Sequence, residues 1–191
     1  MVFVTLIFCY NLIKECDCMK IFFGVEIKIM ADQFNKDDIL FMREALSLAE
    51  RAQQLDEVPV GAIVVSGGQV IGRGFNQREM AQNALLHAEM IALDEACKNA
   101  GSWRLPDATL YVTLEPCPMC AGAMVLARVS KLVYGTADPK SGAAGSVMDI
   151  CRHEKLNHRM LVISGLLAEE SAGLLKNFFV KKRNNKEIVD E

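Results

Sequence analysis

Apolar residues recur at helical spacing where the first regular pattern of the chain begins. Ile39, Met42, Leu46 and Ala49 lie three or four positions apart, which is the spacing of one helix face. The asparagine and aspartates just before this pattern favour the positive N-terminal end of a helix. The pattern therefore predicts a first helix over residues 35–53.

Beyond that helix, β-branched runs alternate with further helical patterns. The runs "PVGAIVV" and "QVIGRGF" flank the dipeptide Gly67-Gly68, which predicts a β-hairpin. Further helices are predicted over residues 87–99, 120–129 and 166–183, and strands over 59–65, 69–75, 108–115, 131–137 and 160–165. Strands that alternate with helices indicate an α/β fold, in which helices cover both faces of a layered sheet.

The first 29 residues differ in character from the rest. The apolar run "MVFVTLIFCYNLI" is too short to span a bilayer as a helix, and no basic region or cleavage site accompanies it. Because "MADQFNKDD" reads as an ordinary start, residues 1–29 are predicted to be a non-native or over-called extension. A targeting or anchoring segment and an extra edge element are the alternatives. Residues 30–191 are predicted to form a single domain.

Composition narrows the class of protein. The net charge of -3 argues against non-specific coating of nucleic acid, although it leaves room for a local basic patch. The seven cysteines are an odd number with irregular spacing, which fits a reducing, cytoplasmic environment better than a disulfide framework. Trp103, after "NAGS", is predicted to be a packing anchor.

Two cysteines three positions apart stand at the start of a predicted helix. Cys117 and Cys120 belong to "LEPCPMC", and residues i and i+3 share a helix face, so both sulfurs can approach one atom. Pro116 and Pro118 suit the turn into a helix and its first residues. A helix N-terminus also favours the thiolate, which is the form that binds metal ions.

A second short motif, "HAE", opens another predicted helix with His87 and Glu89. In the middle of a helix, residues two positions apart point about 200° away from each other. Both side chains can therefore reach one site only because they lie in the first turn.

Four interpretations of the two cysteines compete. A disulfide is disfavoured in a reducing cell, and a thioredoxin-like redox pair gives His87 and Glu89 no role. A structural zinc site needs a fourth protein ligand. Candidates without close zinc-ligand spacing are Cys97, Cys151, His153 and His158. Three ligands beside an uncoordinated carboxylate are typical of a catalytic metal site, and this interpretation is favoured.

Together the two motifs resemble the signature H-x-E…P-C-x-x-C of the zinc-dependent deaminases. Within the cytidine/deoxycytidylate deaminase superfamily, the chain most resembles the bacterial tRNA-specific adenosine deaminases over residues 34–183. The matching blocks include "EVPVGAIVV", "GFN", "DATLYVTLEPCPMCAGAM", "SGAAGS" and "LLKNFF". The resemblance implies a three-layer α/β/α sandwich with a central mixed five-stranded sheet. It also implies hydrolysis of adenosine to inosine at the wobble position of a tRNA anticodon.

The resemblance further implies a role for individual residues. A zinc ion (Zn2+), one per subunit, would be held by His87, Cys117 and Cys120, and Glu89 would move protons. The implied base-pocket residues are Val58, Pro59, Val60, Asn76 and Ala88. The implied RNA contacts are Asp138, Lys140, Ser141, Phe179, Lys181, Lys182 and Arg183. Taken alone, these stretches would be a strand entry, a surface loop, and a core aromatic pair with a solvated basic tail.

The expected partners follow from the same resemblance: the anticodon stem-loop of a tRNA and a second copy of the chain in a homodimer, with no membrane. Two rival functions stay open. One is deamination of free bases or nucleosides, such as cytosine or guanine, and the other is a non-catalytic zinc-stabilised RNA-binding module. The aromatic and basic C-terminal helix favours an RNA substrate over a small molecule.

Overall fold

The helices and strands follow the predicted order. The computed structural model describes residues 34–187. Contacts between Cα atoms divide the chain into the units Met1–Asp38 and Ile39–Glu191, and the sheet lies in the second unit. The expectation for residues 1–29 falls outside the described residues. The single domain expected for residues 30–191 stays a prediction.

Each predicted helix and strand is present. The helices are α1 Lys36–Gln54, α2 Ala88–Ala100, α3 Pro118–Ala127 and α4 Ala168–Glu187. The strands are β1 Gly61–Ser66, β2 Gln69–Phe75, β3 Thr109–Leu114, β4 Lys131–Thr136 and β5 Leu161–Ser164. Helix α3 begins two residues earlier than predicted, because Pro118 lacks an N–H and fits the first helical position without losing a hydrogen bond.

The five strands form one mixed sheet in the order β2-β1-β3-β4-β5. Strand β1 pairs antiparallel with β2 and β3, whereas β3, β4 and β5 pair in parallel. The predicted hairpin joins β1 to β2 through Gly67 and Gly68, whose φ angles of 56° and 76° lie in the left-handed region. The mixed five-stranded sheet is therefore confirmed.

Helices cover both faces of this sheet. Helices α2 and α3 lie on one face, where Val112 of β3 and Met124 of α3 belong to the same buried core. On the other face, the rings of Phe41 in α1 and Tyr111 in β3 have centroids 5.3 Å apart. Helix α4 packs on β4, where Ser171 lies so close to Gly135 that a Cβ atom at this glycine would collide with it. The three-layer α/β/α sandwich is confirmed.

Two glycines seat α2 against the sheet. A Cβ atom on Gly72 or Gly74 of β2 would collide with the backbone carbonyl oxygens of Ala92 and Ala88 in α2. This close approach fixes the first turn of α2, which follows His87, at one edge of the sheet.

That edge collects the ends of several strands. Because β1 runs antiparallel to both β2 and β3, the strands β2, β3 and β4 all point the same way. Their carboxyl ends meet at one edge, together with the amino end of β1. Ligands of open α/β sheets bind outside such carboxyl ends. The residues that follow these strands are therefore the place to look for a site.

The expectation for Trp103 is wrong. Its side chain is 57 % exposed, and the guanidinium of the neighbouring Arg104 lies 4.2 Å from its ring centroid. The hydrophobic character of the side chain predicted burial, but Trp103 lies in the loop before β3, outside the core. Among the helices of residues 34–187, none combines the length and apolar character needed to cross a membrane.

Candidate active site

The N-termini of α2 and α3 both lie at the carboxyl edge of the sheet. The residue that precedes each helix is a candidate metal ligand: His87 before α2 (φ -74°, ψ 153°) and Cys117 before α3 (φ -73°, ψ 171°). Neither side chain makes a capping hydrogen bond to its own helix. Both side chains, with that of Cys120 in the first turn of α3, are therefore available to bind a metal ion.

The donor atoms of His87, Cys117 and Cys120, here called the triad, form a nearly equilateral triangle. The distances from His87 Nδ1 to Cys117 Sγ and Cys120 Sγ, and between the two sulfurs, are each 3.6 Å. A tetrahedral zinc ion at about 2.3 Å from sulfur and about 2.0 Å from nitrogen needs a distance of about 3.8 Å between the sulfurs and of about 3.5 Å from each sulfur to the nitrogen. The triangle fits such an ion and leaves its fourth position to a ligand from outside the protein. Within residues 34–187, no other group of three or more His, Cys, Asp and Glu side chains has its donor atoms close enough together to hold one metal ion.

The triad favours a deprotonated sulfur. The hydrogen bond with Cys120 is the main cause that lowers the pKa of Cys117 to about 4; burial opposes the shift, and a hydrogen bond with His87 adds to it. The same bond between the sulfurs raises the pKa of Cys120. The lowered pKa of Cys117 favours its thiolate, which is the form that binds a metal ion.

Glu89 lies in the first turn of α2 beside the triad. Its side chain is 4 % exposed, and burial raises the pKa of its carboxyl above the usual value, although its own backbone N–H and the charge of His87 oppose the shift. Glu89 is not among the side chains of the described residues whose donor atoms could hold a metal ion. A buried, uncoordinated carboxyl with a raised pKa is suited to proton transfer.

A pocket of about 110 Å³ opens beside the triad, and it contains most of the expected base-pocket residues. The pocket is lined by Glu89 and by two of the three metal-ligand candidates, His87 and Cys117. Four expected base-pocket residues complete this part of the lining: Val58, Val60, Asn76 and Ala88. Pro59 is not part of the lining. Its neighbour Val60 donates a backbone hydrogen bond to Val58 at 2.8 Å, so Pro59 is the centre of a tight turn and is buried.

A buried glutamate that the sequence analysis missed supports one wall of the pocket. Glu57 is 0 % exposed, and its Oε2 accepts a hydrogen bond from Asn76 Nδ2 at 3.0 Å. Its Oε1 accepts the backbone N–H of Met80 at 2.5 Å. Glu57 thus joins the side chain of Asn76 to the loop between β2 and α2. An acid a few residues before an apolar strand was the available signal.

Glu115, a second missed glutamate, holds the loop after β4. Its side chain is 2 % exposed and accepts the backbone N–H groups of Asp138, Ala144 and Ser146, each at 3.0 Å. The Ser146 hydroxyl also donates to it. Burial raises the pKa of the Glu115 carboxyl, but these hydrogen bonds outweigh that effect and lower it overall. The acid in "LEPC" therefore braces the loop.

The braced loop brings two of its three predicted contacts to the pocket. Asp138 and Ser141 line it, and they also bond to each other, since the Ser141 hydroxyl donates to Asp138 Oδ2 at 2.5 Å. The backbone N–H of Lys140 donates to Asp138 Oδ1 at 2.9 Å. The Lys140 side chain is exposed and does not line the pocket.

A larger groove of about 780 Å³ adjoins the pocket and shares Val58 and Arg78 with it. Of the predicted RNA contacts on α4, Phe179, Lys182 and Arg183 line the groove. Phe179 is 47 % exposed and packs edge-on against the buried Phe178. Arg78 was missed, because a single arginine in a polar loop gives no sequence signal.

Two of the basic residues on α4 differ from the expectation of three equivalent phosphate contacts. Lys182 forms an ion pair with Asp56 and lies 5.6 Å from the Phe178 ring centroid, so part of its charge is already matched. Lys181 is exposed but is not part of the groove lining. Arg183 lines the groove, and among the described residues it forms no ion pair. Of the three basic residues, it is therefore the one whose charge is directed to the groove without a partner in the described part of the chain.

The sandwich fold, the metal-capable triad and the adjacent buried glutamate define a metal-dependent deaminase. The family model of the MafB19-like deaminases matches residues 34–183. The chain belongs to this deaminase family.

Individual relatives agree with this family. The tRNA-specific adenosine deaminase of Bacillus subtilis (strain 168) is 51 % identical over 152 residues, which cover 80 % of this chain and 94 % of the relative. The protein of the same name from Streptococcus pyogenes serotype M3 is 46 % identical over 154 residues, covering 81 % and 90 %. A structure solved in work on A-to-I editing by tRNA:A34 deaminases matches with a TM-score of 0.68 and 44 % identity, over 71 % of this chain and 98 % of that chain.

Proposed function

We propose that this protein hydrolyses adenosine to inosine at the wobble position of a tRNA anticodon. The observation that carries the proposal is the junction of two cavities: the small pocket beside the triad and Glu89 adjoins the groove lined by Phe179 and Arg183. A base turned out of an RNA loop would enter the pocket, and the neighbouring nucleotides would lie in the groove. Relatives named tRNA-specific adenosine deaminase support this choice of substrate.

We propose zinc as the metal ion, one per subunit, held by His87, Cys117 and Cys120. Two sulfurs and one imidazole nitrogen in a tetrahedral arrangement are the donor set that zinc prefers. When bound with an open position, the ion lowers the pKa of water and so supplies hydroxide near neutral pH.

Glu89 is the residue to which we assign proton transfer. It accepts a proton from water and holds it on a side chain that is almost fully shielded from solvent, at 4 % exposure. It then delivers the proton to N1 of adenine and later assists protonation of the departing amine. Oxygen replaces nitrogen at C6, so that adenosine and water become inosine and ammonia.

Recognition of the RNA is assigned to the walls of the two cavities. Asn76 offers the base a side-chain amide between the apolar walls of the pocket. Phe179 offers a ring for stacking, and Arg183 a charge for a phosphate. Contacts by Pro59, Lys140 and Lys181 stay predictions, as does a cytoplasmic location.

We further propose that the protein is a homodimer, as the resemblance implies. The surface that supports this proposal is an apolar groove of about 630 Å³ that includes Leu126 of α3 and Leu156. Leu126 is 68 % exposed and Leu156 40 %, and exposed apolar surface of this kind commonly marks a protein interface. Light scattering should report a dimer, and Leu126→Glu should convert it to a monomer. A monomeric wild-type protein would remove the proposal.

The test uses zinc-loaded protein and an anticodon stem-loop with adenosine at the wobble position. A stem-loop with that adenosine moved to the neighbouring position serves as the matched control, beside free adenosine, cytosine and guanine. Inosine and ammonia should form from the wobble substrate only. Deamination of a free base would transfer the function to the first rival. Tight RNA binding with no product from any substrate would favour the non-catalytic module.

A further inference from the structure

Glu57 has no place in the chemistry described above, yet it is buried among residues that form the pocket. Both carboxylate oxygens accept N–H groups: Oε2 accepts Asn76 Nδ2 at 3.0 Å, and Oε1 accepts the Met80 backbone at 2.5 Å. A fully buried carboxylate is costly unless such bonds satisfy it. The arrangement also restricts its partners, because an ionised carboxylate can only accept hydrogen bonds.

This restriction determines the orientation of the Asn76 amide. A side-chain amide has a donor end and an acceptor end of nearly the same shape, and rotation by 180° about its last bond exchanges them. The carboxylate of Glu57 attracts the NH₂ end and repels the carbonyl end. We propose that Glu57 is a positioning residue that fixes which end of the Asn76 amide faces the base. The inference rests on the proposed function, since it assumes that Asn76 contacts the substrate base.

The substitution Glu57→Gln separates this role from simple support of the fold. Glutamine has the same shape, but it has one acceptor oxygen and one NH₂ group. The backbone N–H of Met80 cannot rotate, so the glutamine oxygen should stay on that side and its NH₂ should face Asn76. The amide of Asn76 must then turn by 180° to accept that bond. All buried groups stay satisfied, while the polar pattern presented to the base is reversed.

A double-mutant cycle on the zinc-loaded protein tests this inference. Glu57→Gln should lower kcat/KM for the wobble stem-loop about 10- to 100-fold, the loss typical of a misplaced recognition group, with the wild-type zinc content and melting temperature retained. In an Asn76→Ala background, the same substitution should change kcat/KM less than about twofold, because the group through which it acts is gone. An equal loss in both backgrounds, or full activity of Glu57→Gln, would overturn the inference.

The matched control is Glu95→Gln. Glu95 is half-buried and also accepts a hydrogen bond from a backbone N–H, that of Arg73 at 2.7 Å, but it lines neither cavity. We expect it to leave kcat/KM unchanged. If Glu95→Gln lowered kcat/KM as much as Glu57→Gln, the effect would be general and the inference would fail.

A second measurement does not depend on turnover. The side-chain amide signals of Asn76 in a ¹⁵N NMR spectrum can be assigned by their loss in Asn76→Ala. They should move when Glu57→Gln replaces a charged acceptor by a neutral donor, and unchanged signals would contradict the fixed orientation. If the wild-type protein failed to deaminate the stem-loop, the proposed function would fall, while this spectrum would still decide how Asn76 is oriented.

Discussion

The two halves of the candidate active site are held in place in different ways. The helix-borne half consists of His87, Glu89, Cys117 and Cys120, and the loop-borne half of Asn76, Asp138 and Ser141. In the helix-borne half, the first turns of α2 and α3 set the direction of each side chain. The loop-borne half follows β2 and β4, where no repeating backbone directs the side chains.

Buried glutamates supply the missing support in the loop-borne half. Glu57 bonds to residues 19 and 23 positions away, and Glu115 to residues 23, 29 and 31 positions away. These contacts form only after the chain has folded, whereas the turns of the helix-borne half are local. The direction of each catalytic side chain is thus set mainly by short-range sequence, although the fold must still bring α2 and α3 together. The recognition side chains depend on residues far apart in the chain even for their direction.

Removal of a metal donor should give the largest effect of all. Cys120→Ala should lose zinc, because two remaining donors hold the ion poorly, and inosine formation should fall by more than the about 10²–10⁴-fold attributable to proton transfer. Elemental analysis of the purified variant and a single-turnover assay measure both quantities. The control is Cys97→Ala, which removes a free thiol on α2 outside the triad. Full zinc content in Cys120→Ala would contradict the proposed ligand set.

Within the helix-borne half, Glu89→Gln should separate catalysis from metal binding. Glutamine keeps the shape of Glu89 but cannot accept and return a proton, so kcat should fall by about 10²–10⁴-fold. Zinc content should stay at the wild-type level, since Glu89 is not part of the triad. Loss of zinc in parallel with activity would make Glu89 a ligand and would remove its assignment as the proton carrier.

The limits of sequence-based prediction follow the same division. The motifs "HAE" and "LEPCPMC" were interpretable because their spacing, a helix start and donor chemistry are local properties. The strands were also predicted, since Gly67-Gly68 and the β-branched runs act at short range. Only the tertiary fold shows that the triad distances are all 3.6 Å.

The loop-borne half was only partly predictable. Asn76, Asp138 and Ser141 entered through resemblance to a family, and no pattern placed Glu57 or Glu115 under them. Each of these glutamates lies at or near the end of a predicted apolar strand. That placement is a general signal for a buried carboxylate with backbone donors. Which donors it accepts depends on loops whose course the sequence does not specify.

Glu115→Gln tests the support of the loop-borne half. One oxygen becomes an NH₂ group that faces buried N–H donors, so the free energy of unfolding should fall by about 1–3 kcal/mol. Amide hydrogen exchange at Ala144 and Ser146 should accelerate, because both N–H groups bond to Glu115 Oε1. Denaturant unfolding and exchange mass spectrometry measure the two effects. Glu154→Gln, at an exposed position before β5, should change neither. Wild-type exchange in Glu115→Gln would show that the loop holds itself.

The smallest expected effect lies on the groove, where Arg183 and Lys181 form a matched pair. Both residues are exposed on α4 and two positions apart, but only Arg183 lines the groove. Arg183→Gln and Lys181→Gln remove the same charge from the whole protein. Arg183→Gln should weaken stem-loop binding several-fold, and the plot of log affinity against log salt should flatten by about 0.7–0.9 for one lost phosphate contact.

Lys181→Gln should leave both the affinity and the salt slope close to those of the wild-type protein. Binding titrations at a series of salt concentrations measure the two quantities for each variant. Equal losses in both variants would mean that the RNA responds to the overall charge of α4. Recognition would then not depend on the groove, because a long-range field does not distinguish neighbouring positions on one helix. A loss confined to Arg183→Gln would place a phosphate next to Phe179, and so extend the loop-borne recognition surface from the pocket onto α4.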